Sequence, residues 1–238
     1  MSVPFADPIP DSVSLYIFDL DGTLIDSLDD LAAAVNGILE RKGCAPIGRD
    51  TVRECIGHGA RNLVKRAFEF STGDPVSDAF ADSVLPEYRD IYRGNGVVHT
   101  YVYPGMREWV EALAARGKKL AVLTNKPERE SREILEALGL AGPFFMIAGP
   151  ETYGAVKPDP AGVFGLMKAA GLAFPPCAAA PAAAPAAAPS AVMIGDSDVD
   201  LLTGRNAGIP VCALTGGIGN ESVLRALKPD WLIERAGL

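Results

Sequence analysis

The chain has 238 residues, 48% of them apolar, and a formal net charge of −8 at pH 7. That length holds one large domain or two modest ones, and the acidic balance argues against nucleic acid or an anionic membrane as a partner. No apolar run approaches the ~20 residues of a membrane-spanning helix. Four scattered cysteines (Cys44, Cys55, Cys177 and Cys212) and two histidines (His58 and His99) disfavour a structural zinc site.

The first ten residues, MSVPFADPIP, have no basic start and no apolar signal core. They predict a short disordered leader on a cytoplasmic protein with reduced thiols. Ser14–Phe18, SLYIF, reads as a buried strand that runs directly into Asp19 and Asp21, followed by Gly22 and Thr23. Two carboxylates brought together at a strand end repel each other and resist losing water, so a cation or a reaction must compensate. A calcium loop starting at Asp19 would place Asp30 at its twelfth position and Thr23 and Ile25 at ligand positions, a poor fit to an EF-hand.

From Leu28 to Val98 the sequence offers amphipathic helical stretches and no convincing strand. This predicts an all-helical second domain, residues 28–98, inserted into a core made of residues 1–27 and 99–238. Inside it, Gly57-His58-Gly59 is a turn that opens a helix. His58 points into a cleft or is a turn residue. Arg61 and Lys65, four apart on one helix face, meet a substrate carboxylate or face water, with water the expectation for Lys65. Tyr101 and Tyr103, beside the second junction, read as packing residues.

Beyond the insert, strand and helix alternate. Strands are predicted over Lys119–Thr124, Phe144–Ala148, Ala191–Gly195, Pro210–Leu214 and Trp231–Ile233, and helices over Gly105–Arg116, Glu128–Leu138, Ala161–Ala170 and Asp198–Ala207. Short apolar runs separated by helices indicate an α/β fold, with a Rossmann-like parallel sheet covered on both faces. Residues 175–190 interrupt this order. Prolines 181, 185 and 189 recur every fourth residue among alanines, a low-complexity loop that cannot hold a regular helix.

Ligands of such sheets bind beyond the carboxyl ends of the strands. There the sequence places Asp19 and Asp21, Thr124 and Asn125, Lys157, and the pair Asp196 and Asp200. Carboxylates without histidine or cysteine favour a hard cation, and so few protein ligands favour Mg²⁺ over Ca²⁺. A Mg²⁺ and a lysine beside these carboxylates leave room for a phosphate dianion, and phosphoryl transfer needs positioning and charge neutralisation above all.

DLDGTLIDS, LTNK, KPDP and GDSDVD, in that order, resemble the four motifs of the haloacid dehalogenase superfamily, and the helical insert resembles that family's first type of cap domain. IGHGARNLVKRAF, VYPGMREWVEALAARGKKLAVLTNKP and GIPVCALTGGIG are similar to bacterial phosphoglycolate phosphatases. The resemblance implies that Asp19 is a nucleophile forming an aspartyl-phosphate. It makes Asp21 the group that protonates the leaving alkoxide and then activates water. Thr124 and the Asn125 amide would hold phosphoryl oxygens, and Lys157 would neutralise charge. It implies a Mg²⁺ held by Asp19, Asp21 and Asp196, with Asp200 at or just behind the metal. Gly57, His58, Gly59 and Arg61 become the candidate substrate-binding group. The implied activity is Mg²⁺-dependent hydrolysis of a small phosphorylated metabolite, 2-phosphoglycolate first, by a monomer or homodimer. A sugar phosphate or pyrophosphate hydrolase and a sugar phosphomutase are the alternatives. A dehalogenase is disfavoured by the presence of Asp21, and a dead phosphatase fold by the intact motifs.

Overall fold

The computed structural model describes residues 7–95, 97–174 and 190–235. In chain order the elements are β1 (Leu15–Phe18), β2 (Ile25–Asp26), α1 (Leu28–Arg41), α2 (Arg49–Arg53), α3 (Gly59–Thr72), α4 (Asp78–Asn95), β3 (Tyr101–Val102), α5 (Met106–Ala115), β4 (Lys119–Leu123), α6 (Glu128–Ala137), β5 (Met146–Ala148), α7 (Pro150–Tyr153), α8 (Ala161–Ala169), β6 (Ala191–Gly195), α9 (Asp198–Asn206), β7 (Val211–Leu214), α10 (Glu221–Ala226) and β8 (Trp231–Ile233).

Six strands form one sheet in the order β5-β4-β1-β6-β7-β8, and every neighbouring pair is parallel. β1 lies between β4 and β6 and is buried along its whole length. Successive side chains of a strand point to opposite faces, so Tyr16 and Phe18 enter one core and Leu15 and Ile17 the other. On the first side Phe18 meets Trp109 of α5 edge to face, with ring centroids 5.3 Å apart. On the second side Val163, Leu166 and Met167 of α8 and Leu201 of α9 cover the sheet. Burial on both faces explains why the strands read as unbroken apolar runs.

The predicted strands and long helices are present with ends moved by a residue or two, as fraying ends allow. The short elements α2, α7 and α10, with five, four and six residues, were not predicted, because so few residues show no period. The leader expectation needs correction from residue 7 onward. Ile9 is buried, and the Asp7 carboxylate accepts from Ile9 N (3.0 Å) and Trp109 Nε1 (3.3 Å). The low-complexity loop lies outside the described residues from 175 to 189. No described helix is long and apolar enough to cross a membrane.

The chain leaves the sheet for α1–α4 and returns through a two-stranded antiparallel ribbon, β2–β3, in which Ile25 pairs with Val102 and Asp26 with Tyr101. Leu31, Val35, Ile38 and Leu39 make a buried stripe on α1. α1 and α3 both pack on α4. The returning segment is fixed by Asp30, whose buried carboxylate accepts from Val98 N, His99 N, Thr100 N and Thr100 Oγ1 at 2.6–3.1 Å. The helices are thereby tied to both strands of the ribbon.

Candidate active site

β1, β4 and β6 are neighbours and parallel, so the residues that follow their last positions meet at one edge of the sheet. Asp19 and Thr124 are those residues for β1 and β4, and Asp196 follows Gly195 at the end of β6. Lys157 reaches the same edge from the loop between α7 and α8. Its ammonium lies 2.7 Å from Asp19 Oδ1 and 2.6 Å from Asp200 Oδ1. Asp200 stands in the first turn of α9, where its Oδ2 accepts from Ser197 N (3.1 Å) and Ser197 Oγ (2.6 Å), closing a capping box. The backbone of Lys157 is held in turn by Asn125, whose Oδ1 accepts from Lys157 N at 2.7 Å and whose Nδ2 donates to Lys157 O at 3.1 Å.

Asp19, Asp196 and Asp200 are all buried, and each offers a carboxylate oxygen within 4.8 Å of the other two. Burial first, and then the neighbouring Asp200, push the Asp19 carboxyl well above the usual carboxylate range, although Lys157 opposes both. Burial and Asp200 also raise Asp196, to about 6, against the Gly219 N–H, Arg235 and the Thr23 hydroxyl. Lys157 shows the converse: burial disfavours its charge, but Asp19 and Asp200 prevail and hold its pKa above the ordinary lysine value. Three crowded carboxylate donors, of which Asp19 and Asp196 ionise reluctantly, are the environment a hard divalent cation relieves. The turn after Asp21 packs directly on this group: a Cβ on Gly22, whose φ is +87°, would strike the Asp196 carboxylate. Asp196 itself is fixed by Thr23 Oγ1 (2.8 Å), Ile218 N and Gly219 N (both 2.9 Å).

Asp21 is held differently. Its Oδ1 accepts from Ser27 Oγ at 2.5 Å and from Lys126 Nζ at 2.7 Å, and no described residue donates to its Oδ2. Lys126 is buried. It also donates to Tyr92 Oη of α4 at 3.0 Å, with its ammonium 5.0 Å from the Tyr92 ring centroid. Burial works against the Lys126 charge, but Asp21 and Tyr92 outweigh it and its pKa is raised. The loop after Asp21 is clamped from the far end of the chain. Arg235 donates to Gly22 O (2.6 Å), Thr23 O (2.8 Å) and Thr215 O (2.8 Å), and its guanidinium stacks 4.0 Å from the Tyr103 ring centroid.

A cavity of about 70 Å³ lies between these groups and the helices. The sheet edge lines it with Asp19, Asp21, Thr124, Lys126 and Lys157; Gly57, Gly59, Leu63, Tyr88 and Tyr92 close the other side. A wider cleft, about 1100 Å³, opens beside it and is lined by Arg53, His58, Arg66, Asp196 and Asp198. The small cavity combines an unpartnered carboxylate oxygen, two buried cations and a hydroxyl, and Asp19 and Asp21 also face the cleft that Asp196 lines.

Residues 16–214 match the family described as haloacid dehalogenase-like hydrolase. The chain belongs to that family. Among relatives of this haloacid dehalogenase-like hydrolase, a phosphoglycolate phosphatase of Rhodospirillum rubrum is 37% identical over 210 residues, covering 87% of this chain and 81% of that protein. A phosphoglycolate phosphatase of Psychrobacter arcticus is 37% identical over 219 residues, covering 90% of this chain and 89% of its own. A crystal structure from Haemophilus somnus 129PT, described as a predicted phosphoglycolate phosphatase, superposes with a TM-score of 0.81 at 30% identity over 93% of each chain.

In this hydrolase the structure gathers Asp19, Asp21, Thr124, Lys157, Asp196 and Asp200, all expected from the sequence, at one sheet edge. Gly57 and Gly59 line the cavity, and His58 lines the outer cleft only. For Arg61 the structure shows the solvent-facing alternative. Its Nε and Nη2 donate to Asp82 Oδ1 (2.6 Å) and Oδ2 (2.8 Å) on exposed surface, and it lines neither space. Lys65 pairs with Asp78 at the surface, as expected of a solvent-facing residue. The Asn125 side chain is spent on Lys157 and on Gly57 O (3.1 Å), so it secures the lysine loop and touches the helical segment. Of the two tyrosines near the junction, Tyr103 is buried under Arg235, while Tyr101 is exposed and donates to Asp26 Oδ2 (3.2 Å). Lys126 and Arg235 were not singled out. Lys126 could have been suspected as a lysine one position past Asn125 at a strand end; nothing near Arg235 in the sequence marks it.

Proposed function

We propose that this hydrolase removes the phosphoryl group from 2-phosphoglycolate, yielding glycolate and phosphate, in a Mg²⁺-dependent reaction through an aspartyl-phosphate at Asp19. The observation that carries the reading is the convergence of Asp19, Thr124, Lys157 and the Asp196–Asp200 pair on one sheet edge, beside Asp21. The relatives' names favour the substrate, and a cavity of about 70 Å³ suits part of a small one: at ~10–15 Å³ of such volume per water it has room for about five to seven water-sized atoms, with the wider cleft open beside Asp19.

Asp19, the Asp21 carbonyl and Asp196 would hold Mg²⁺, with Asp200 beside them steering Lys157. When bound, the ion supplies charge neutralisation for the phosphoryl oxygens. The chain's own residues do the rest. Lys157 fixes Asp19 Oδ1 and adds positive charge at the phosphoryl site, leaving Oδ2 toward phosphorus. The Thr124 hydroxyl accepts from Lys126 N (3.1 Å), so its own proton is free for a phosphoryl oxygen. As Asp19 attacks, the bond from phosphorus to the ester oxygen breaks. The electron pair goes to that oxygen, and Asp21 delivers a proton to it from Oδ2, the oxygen Ser27 and Lys126 leave open. Asp21 then takes a proton from water, whose oxygen attacks phosphorus, and the Asp19 carboxylate leaves with the electrons of the broken acyl–phosphate bond.

In this reading residues 28–98 serve as a cap on a core of 1–27 and 99–238, since α1, α3 and α4 supply Leu31, Leu63, Tyr88 and Tyr92 to the cavity wall. Cys44, Cys55 and Cys212 are free thiols, which suits a cytoplasmic enzyme. The test is a panel of phosphomonoesters with purified protein and Mg²⁺, scored by kcat/KM. The reading expects 2-phosphoglycolate to lead and EDTA to abolish turnover. A hexose phosphate isomerised in the presence of a bisphosphate, with no phosphate released, would replace hydrolase by mutase.

A further inference from the structure

If Arg61 faces solvent, another cation must read the carboxylate that distinguishes a phospho acid from a neutral phosphate ester. Two lysines line the inner cavity. Lys157 is committed to Asp19 and Asp200. The other is Lys126. An ammonium has three donors, and Asp21 and Tyr92 account for two of those on Lys126. The geometry of the substrate supplies the second argument. In a 2-phospho acid the carboxylate carbon stands two bonds from the ester oxygen, so the group that protonates the oxygen and the group that reads the carboxylate must be neighbours. Asp21 Oδ1 and Lys126 Nζ are 2.7 Å apart.

We infer that Lys126 is the specificity-determining residue of this site: its third N–H donates to the substrate carboxylate while the other two stay on Asp21 and Tyr92. The inference rests on the hydrolysis of 2-phosphoglycolate proposed above. It also gives the helical segment a part in recognition, because Tyr92 of α4 is one of the two anchors that aim the ammonium. The contact forms in a buried space walled by Leu31, Ile56 and Leu63, where a charge-assisted hydrogen bond is stronger than in water. Arg53, His58 and Arg66 line the outer cleft, which Asp19, Asp21 and Asp196 also face, and none of the three lines the inner cavity with Lys126.

The experiment compares kcat/KM for 2-phosphoglycolate and for ethyl phosphate, which has the same chain length and no carboxylate, in the full-length wild type and in Lys126→Met. A charge-assisted contact of this kind predicts that the ratio of the two values falls about 10- to 200-fold in the variant. Ethyl phosphate turnover falls by a smaller factor, through the lost support of Asp21. Lys126→Gln, which keeps an N–H donor for Asp21 and Tyr92 but no charge, gives the same collapse of the ratio and carries the test should Lys126→Met fail to fold. Equal losses on both substrates would assign Lys126 to Asp21 alone and overturn the inference. A preference that survives in both variants and disappears in Arg53→Ala or Arg66→Ala would also overturn it, in favour of the outer cleft. A wild type that hydrolyses both esters equally would overturn the inference together with the proposed substrate, and leave the phosphatase chemistry standing.

Discussion

The Lys157 ammonium lies 2.7 Å from the Asp19 carboxylate, with the lysine side chain 4% exposed and the aspartate 12%. The same ammonium reaches Asp200, so one cation holds together two carboxylates that burial and mutual repulsion drive apart. Lys157→Met strands both. Removing one partner of a buried pair costs ~3–5 kcal/mol, to be read from denaturant unfolding of the metal-free protein, and Mg²⁺ should return part of the loss. A change below ~1 kcal/mol would mean that the pair stands without its lysine.

Arg235 should matter to the site although it lies far from it in sequence, three residues before Leu238. It supplies donors to the carbonyls of Gly22, Thr23 and Thr215 and covers Tyr103. Arg235→Lys keeps the charge but loses the planar fork that serves three carbonyls at once. The expected cost is at least ~1.5 kcal/mol, accompanied by weaker Mg²⁺ binding as the Gly22–Thr23 turn loosens. Unfolding and Mg²⁺ titration of the variant check both, and stability within ~0.5 kcal/mol of wild type would contradict the clamp.

Arg61→Ala should do little. Its pair with Asp82 is exposed, a kind of contact that contributes ~0–1 kcal/mol. The kcat/KM for 2-phosphoglycolate should match wild type, and a large loss confined to acidic substrates would return Arg61 to the site.

Much of this was legible in the sequence, and the failures have physical causes. Ala191–Gly195 could be bounded to the residue because a strand buried on both faces is an unbroken apolar run closed by polar residues, and the half-buried edge strand Trp231–Ile233 because charged residues flank its three apolar ones. Asp19, Asp21, Lys157, Asp196 and Asp200 were readable because a parallel sheet gathers its strand ends. Arg61 was left open between substrate and water because helical spacing tells which residues share a face, and not which face meets solvent; its partner Asp82 belongs to another helix. Lys126 was overlooked because its burial and its partner Tyr92 come from α4, a segment 34 residues earlier. Two-residue strands such as β2 and β3 carry no period at all.

Metal binding should depend on pH through Asp19, held well above the usual carboxylate range, and through Asp196, whose pKa is raised from 3.8 to about 6 in the folded, metal-free protein. A carboxyl with a raised folded pKa contributes stability that is full below its unfolded value and lost as pH rises through the folded one. The metal-free protein therefore loses the Asp196 contribution between about pH 4 and 6. Mg²⁺ needs the ionised form and restores stability at neutral pH. The rise in Tm on adding Mg²⁺ should be large at pH 7.5 and shrink toward pH 5, and an equal rise at both would show that the ion is not held by these raised carboxyls.

The central claim is that Asp19 carries the phosphoryl group. The most direct test is steady-state phosphate release from 2-phosphoglycolate by Asp19→Asn beside wild type, both with saturating Mg²⁺ and with matched unfolding curves. An amide keeps the shape of the side chain but is a poor nucleophile and a poor ligand for a hard cation. The account predicts turnover in the wild type and none above background in the variant. Sustained phosphate release by well-folded, wild-type-free Asp19→Asn would contradict it.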